Sequence, residues 1–329
     1  ASTRAVVFFA EGVLEKICWV FGGGVKAWWF TILTLGPLLG SFITEPGAMT
    51  LAAMLLIRRF FVYRPSNKLS YATLGLLFVS ISVGGALTNF AAPPVLIVSH
   101  TWGWSSLYMM SHFGWKIILG ILTSTTLYLV LFYKELTELS NKTLALSEER
   151  RLGVPLWIIC VHLAFLFILV IHGCDPPIFI GGFLLFLGFY QATAYHQYPL
   201  HLKEPLLVGF FLAGLIVHGG LQGWWIVPLL ELFQAKMLMT MGVILTAFND
   251  NAAVVYLSSL TPNLTEVAKL AIVSGVLIGG GLTVIANAPN PAGQTLLRPY
   301  FRNGVSPIFL FMAALPPTCI LYLIFYLTF

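Results

Sequence analysis

WWFTILTLGPLLGSFITEPGAMTLAAMLLI, residues 28–57, is apolar almost throughout yet is interrupted at Gly36, Pro37, Gly40, Pro46 and Gly47. One helix crossing a bilayer takes about 20 such residues, so the stretch is too long for a single crossing and is punctuated where that crossing would lie. Divided at the punctuation, it gives two arms of about 12 residues. Each is roughly 18 Å of helix at 1.5 Å per residue, short of the ~30 Å hydrocarbon core. A re-entrant helical hairpin is expected over about 28–57, with its tip near residues 42–46. The competing form is one long, kinked or tilted helix.

The tip of this stretch has a second copy. SFITEPGA (41–48) aligns without gaps on TAFNDNAA (246–253), setting Thr44 on Asn249, Glu45 on Asp250 and Pro46 on Asn251. A second pair follows in the same order: GGALTNFAAPP (84–94) lies on GGLTVIANAPN (280–290), matching Gly84, Gly85, Ala92 and Pro93 with Gly280, Gly281, Ala288 and Pro289. Two short matches in one order read as an internal two-fold repeat. Residues 227–260 then form the second hairpin, and 71–99 and 267–297 become the two broken helices. The division expected is a first repeat over 1–133, a polar, charged linker over 134–153 and a second repeat over 154–329. The second copy has about 72 apolar residues before its hairpin and the first about 24, so symmetry predicts roughly two further helices before Ala1.

Composition sets the class. Hydrophobic residues make up 58% of the chain and charged residues 9%, whereas about a quarter of a soluble domain is charged. Apolar runs of 18 or more residues recur at 113–133, 154–173, 177–195 and 307–329, as membrane-spanning helices require. The ten-residue alternation of a β-barrel is missing from the pattern, so the fold expected is all-α and polytopic. The net charge of +5 sits mostly in loops and gives no nucleic-acid signal. The four cysteines, Cys18, Cys160, Cys174 and Cys319, have no metal-type spacing and read as small packing residues; no cofactor is expected.

Charge placement orients the repeat. With both hairpins re-entering, Arg58, Arg59, Arg64, Lys68, Lys134, Lys142, Arg150, Arg151, Lys203, Arg298 and Arg302 all fall on one side. The opposite loops, 100–112, 173–176 and 261–265, hold no Lys or Arg. The positive-inside rule makes loops 58–68 and 134–153 cytoplasmic, in the inner (plasma) membrane of a bacterium. It also favours a hairpin, or two full crossings, over a single crossing at 227–260. The two copies are then inverted with both tips at the midplane, an arrangement common in secondary transporters.

Glu45 and Asp250 are the leading chemical candidates. A carboxylate at the bilayer centre costs at least ~2.5–3.5 kcal/mol and needs a partner, a cation or a proton. Neutral oxygens surround each: Ser41 and Thr44 beside Glu45; Thr246, Asn249 and Asn251 beside Asp250. Such a set, with unwound backbone carbonyls, holds a hard cation such as sodium, and the same carboxylates can take protons. One site serving either ion gives exchange by competition. The alternative role for each acid is a helix-start residue favoured by the dipole. Around the prolines that break the later runs, Thr88, Asn89, Thr283, Asn287 and Asn290 are candidate ligand or cavity groups, because freed carbonyls are tolerated at membrane depth only inside protein or beside water. The glycines at 84, 85 and 279–281 read as close-packing positions. His162, in an apolar run, reads as a hydrogen-bonded packing residue, and Glu231 and Lys236 as a loose pair on the second hairpin's first arm.

With these residues in view, the chain resembles the predicted sodium/proton antiporter family of the ion-transporter superfamily. The match is carried by GPLLGSFITEPGAMT, YATLGLLFVSISVGGALTNFAAPPVLIV, HFGWK (112–116), TAFNDNAAVVYL and ANAPNPAGQTLL. The resemblance implies a secondary transporter related to sodium/dicarboxylate and arsenite carriers, working as a homodimer in which hairpins and broken helices move against a scaffold. It points to Glu45, Asn89, Asp250 and Asn287 as the central site, with sodium and protons as cargo. Dicarboxylate relatives carry Ser-Asn-Thr at the hairpin tips, where this chain has Thr44-Glu45-Pro46 and Asn249-Asp250-Asn251. Acids there favour a cation over the alternative cargo, an organic anion or oxyanion coupled to sodium or protons. An intramembrane hydrolase using the two acids as a dyad is the more distant alternative; the expectation is a transporter, not an enzyme.

Overall fold

The computed structural model describes residues 3–141, 153–172, 175–197, 199–200 and 202–329. Among them, regular structure is helical apart from an isolated bridge between Arg302 and Gly304. Helix α1 (Arg4–Val20) ends at Gly22 and Gly23, both at positive φ, which reverses the chain into α2 (Val25–Ile43). Next come α3 (Glu45–Arg59), α4 (Asn67–Gly84), α5 (Pro93–Trp102), α6 (Ser106–Met109), α7 (Trp115–Leu131) and α8 (Tyr133–Asn141). The remainder forms α9 (Leu156–Ile171), α10 (Pro176–Ala192), α11 (Lys203–Gly219), α12 (Gly223–Glu231), α13 (Ala235–Phe248), α14 (Asn251–Ser259), α15 (Glu266–Gly279), α16 (Asn290–Leu297) and α17 (Pro307–Leu327).

Local chemistry sets the helix starts. Ser66 caps α4 by accepting from the Leu69 amide at 3.2 Å, and Thr265 caps α15 by accepting from Ala268 at 3.2 Å. Prolines occupy the first turns of α3, α5, α10, α16 and α17, where the missing N–H costs nothing.

Helices α2 and α3 pack against each other along their lengths. Their junction is Thr44, at φ 67°, a conformation that costs a non-glycine residue about 1–3 kcal/mol. The arms have 19 and 15 residues, about 28 and 22 Å, longer than the about 12 residues the punctuation suggested. Pro37 is absorbed inside α2 and does not end it. Its carbonyl backs onto Gly84, where a β-carbon would lie 2.5 Å from the Pro37 oxygen.

Residues 227–231 belong to α12, and α13 begins only at Ala235 after Gln234 adopts extended backbone at φ −70°, ψ 156°. The apolar run 227–248 therefore conceals a turn, and Glu231 and Lys236 lie on different helices. Residues 134–141 are helical. In α8, Leu136 and Leu139 are buried and the helix packs on α2. Residues 142–152 of the sequence's charged stretch lie outside the described residues.

Two packing relations cross between the halves. Helix α3 lies on α16, while α14 lies on α5. Each helix that follows a tip thus rests on the second piece of the other half's broken helix. At the centre, α4 is buried on all sides and packs against α2, α7, α15 and α17. The outer helices α9 to α12 carry exposed Leu156, Trp157, Phe167, Ile180, Phe210 and Trp224. Five helices among the described residues are long and apolar enough to cross a membrane. An apolar exterior around a core with polar groups is the arrangement a bilayer selects, and the chain is an all-α polytopic membrane protein.

Candidate functional site

The two tips and the two helix breaks meet in the interior. Glu45 is the first residue of α3 and is fully buried. Its Oε2 accepts a hydrogen bond from Asn287 Nδ2 at 2.9 Å, a contact made across the two halves, while Oε1 is buried without a hydrogen-bond partner. Space for the carboxyl group comes from Gly85. A β-carbon there would fall 2.7 Å from Glu45 Oε1, so this glycine shapes the site and does more than pack helices.

Asp250 stands at the matching position but has a different local job. It is the N-cap of α14, and its Oδ1 accepts from the Ala252 amide at 2.8 Å. It is partly exposed, where Glu45 is fully buried. Its neighbour Asn251 is wholly buried, and both side-chain polar atoms lack a partner. The Asn251 amide donates to the Ala286 carbonyl at 3.0 Å, which fixes the second tip against the second helix break.

That break, between α15 and α16, is stitched by Asn290. Its Nδ2 donates to the carbonyls of Gly280 and Thr283, both at 2.8 Å, leaving Oδ1 buried and unpartnered. Asn287 Oδ1 and Thr246 Oγ1 are likewise buried and unpartnered. Thr283 donates to the Ala247 carbonyl at 2.9 Å. Ser82, on α4, donates to Leu277 O at 2.7 Å and lies against Gly280 beside Asn251.

Other sequence candidates sit apart from this cluster. The Thr88 hydroxyl donates to the Ser41 carbonyl at 2.7 Å. Asn89 is held by the segment after α5: Nδ2 donates to Trp104 O at 3.1 Å, and Oδ1 accepts from Ser106 Oγ at 2.8 Å. Asn249 is exposed, with Nδ2 donating to Leu245 O at 3.3 Å. Thr44 contributes the bent backbone of the first tip. His162 is buried between Thr3 and Gln197, at 3.0 and 2.9 Å. Gly85, which the sequence marked only as a close-packing position, borders the Glu45 carboxyl group, and Ser82 is a participant that composition and spacing did not single out. The signal for Ser82 is its place just before the break, at the end of a largely apolar run that also holds Ser80.

Chemically, the cluster joins one carboxylate with amide and hydroxyl oxygens, a donor set of the kind that holds a hard monovalent cation or, at the acid, a proton. Among the described residues, no group of three His, Cys, Asp or Glu side chains could hold a resident metal ion.

A protein-family model described as "Putative Na+/H+ antiporter" matches residues 1–328, and the chain belongs to that family. It is an integral membrane protein of a transporter family. No curated protein and no solved structure matches the chain.

Proposed function

We propose that the chain is a secondary active transporter that exchanges sodium, or another monovalent cation, for protons by alternating access, with Glu45 and Asp250 binding ion or proton in turn. One observation carries this reading. Glu45 Oε1, Thr246 Oγ1, Asn251 Oδ1, Asn287 Oδ1 and Asn290 Oδ1 are all buried without partners around the tips and breaks. An unpartnered buried acceptor costs about 1–3 kcal/mol, so several in one place favour a ligand that coordinates oxygen. Asn287, Asn290, Asn251 and Thr246 supply neutral oxygens, Glu45 the charge, and Asp250 a second titratable carboxylate at the exposed edge. Thr283 and Thr44 shape the two break points, while Thr88, Asn89 and Asn249 stand outside this inner set.

The reciprocal seating of α3 on α16 and α14 on α5 supports an inverted repeat with re-entrant tips, the geometry on which rocking mechanisms are built. The orientation reading is supported by Phe61, whose ring lies 5.4 Å from Tyr300 and 6.1 Å from Phe301. The cationic segments 58–68 and 298–302 are thereby neighbours at one end, the cytoplasmic end by the positive-inside rule. A bacterial inner-membrane location and a homodimer, with the exposed apolar helices facing lipid or the second copy, complete the proposal.

The test is sodium-driven pH change in proteoliposomes. Wild-type protein should couple sodium entry to proton exit, and both Glu45→Gln and Asp250→Asn should lose the coupling while remaining folded. Unaltered exchange in both variants would remove the site. Absence of any cation-coupled proton movement in wild type would move the reading to a carrier of an organic anion or oxyanion.

A further inference from the structure

The two helix breaks are covered unequally. Over the first break, residues 104–114 form a short strap made of α6 and a π-helical turn, Met110–Gly114. The strap grips Asn89 on three sides: Trp104 O accepts from Nδ2, Ser106 Oγ donates to Oδ1, and the Asn89 amide donates to Ser106 Oγ at 3.3 Å. At the second break, Ile285, which the repeat sets four residues before Pro289 as Asn89 stands four before Pro93, is 62% exposed.

The strap packs on the other half through Phe113, 6.3 Å from Phe325, and its hydrogen bonds to that half converge on one carboxylate. Glu266 Oε2, in the first turn of α15, accepts from Trp104 Nε1 at 3.4 Å and from Tyr108 OH at 3.3 Å. Its Oε1 pairs with Lys269, whose ammonium group lies 5.5 Å from the Trp102 ring centre. The rings continue in a row: Trp102 meets Trp104 edge-on at 5.0 Å, Trp104 stacks on Tyr108 at 5.0 Å, and Tyr108 stacks on His112 at 4.0 Å. Trp104 is 3% exposed and Glu266 is exposed. A buried indole whose N–H reaches out to a surface carboxylate fixes the strap without filling the site itself.

We infer that Glu266 is a positioning residue for ion access: through Trp104 and Tyr108 it holds the strap over the Asn89 break, and its release opens the first half of the site to the membrane face on which the strap lies. The inference rests on the proposed exchange only for its transport consequence; the fastening itself is testable without transport. The carboxylate touches neither Glu45 nor Asp250, so its effect passes through the strap.

The experiment is amide hydrogen exchange on the full chain in nanodiscs for wild type, Glu266→Gln, Glu266→Ala and Trp104→Phe. A neutral amide oxygen still accepts from indole and phenol, so Glu266→Gln should stay within about twofold of wild type in segments 86–92 and 104–114. Glu266→Ala, losing both strap hydrogen bonds, and Trp104→Phe, losing one, should each exchange roughly fivefold or more faster there, with segment 246–252 unchanged. Uniform acceleration throughout the chain, no acceleration in 86–92, or Glu266→Gln behaving as Glu266→Ala would each overturn the fastening. In proteoliposomes with sided assays, Glu266→Ala should alter half-saturating sodium on one face only. An equal change on both faces would overturn the access role. Wild-type protein without any exchange would count against the antiport reading and leave the hydrogen-exchange result to decide the strap.

Discussion

Glu45 and Asp250 hold the same place in two aligned segments, and the two tips employ them differently. At the first tip, the acid is sealed in the interior and receives its hydrogen bond from Asn287 in the other half, and the bend is carried by Thr44 at φ 67°. At the second, the acid closes its own helix by capping α14, and the bend passes through Asn249 in ordinary extended backbone at φ −135°. Tertiary contact holds the first carboxylate, while local helix chemistry holds the second. The two aligned segments thus agree more closely in where the chain breaks than in what each side chain does at the break.

The matched glycines give the sharpest way to test that difference. A β-carbon at Gly281 would press on the Val79 backbone, whereas one at Gly85 would press on the Glu45 carboxyl group. Backbone has no way to yield, so Gly281→Ala should lower unfolding stability by about 3 kcal/mol, read as a fall in thermal midpoint. Gly85→Ala, which displaces only the Glu45 side chain, should lower the midpoint less and lose exchange. If the two variants behave alike, the tips are not divided as described.

Next in size is Asn287→Ala. Removing the donor leaves the buried Glu45 carboxylate unsupported, at a cost of about 2 kcal/mol. Asn251→Ala, whose side-chain atoms have no partners to lose, should be milder in stability and still weaken sodium dependence. Thermal unfolding with and without sodium separates the two outcomes.

The pair Ser41 and Thr246 follows. Ser41 Oγ donates to Gly84 O at 2.7 Å and accepts from Leu87 N at 2.9 Å. Ser41→Ala should therefore cost about 1–2 kcal/mol. Thr246→Val deletes a hydroxyl with no partner in the protein and should leave unfolding unchanged while raising the sodium concentration needed for half-maximal exchange. A stability loss in Thr246→Val equal to that of Ser41→Ala would place this hydroxyl in the scaffold.

The smallest effect is expected at the cap. Asp250→Ala should lose about 1 kcal/mol of stability and Asp250→Asn almost none, because asparagine caps as well as aspartate does. Both should lose proton coupling, which separates the charge from the cap.

Much of this layout was legible in the sequence because helix breaks are written in proline and glycine. Pro93 and the run before Asn290 mark the second pieces of both broken helices, and Asn251 and Glu45 open the helices after the tips. The grip of the strap on Asn89 was not legible, since it depends on a carbonyl and a serine more than ten residues downstream. Nor was the turn before α13, whose residues Leu232, Phe233 and Gln234 include no proline or glycine to mark it. Pro37 misled in the opposite direction: a residue that normally ends helices lies inside one here, with Gly84 packed closely against it. Asn89 and Asn287 look alike as residues near a break, and only tertiary distance separates a strap contact from a carboxylate contact.

The crosswise seating of α3 on α16 also governs how the chain is made. Helix α3 ends at residue 59 and α16 begins at residue 290. At about 5–20 residues per second of synthesis, the second surface appears roughly 10–50 s after the first. During that interval Glu45 has no Asn287 to meet, and the bent Thr44 has no opposite half to hold it. The first hairpin must therefore wait in the membrane in a provisional form, vulnerable to quality-control proteases. Variants that weaken its own α2–α3 packing should lower protein yield in cells before they change the activity of the molecules that finish assembly.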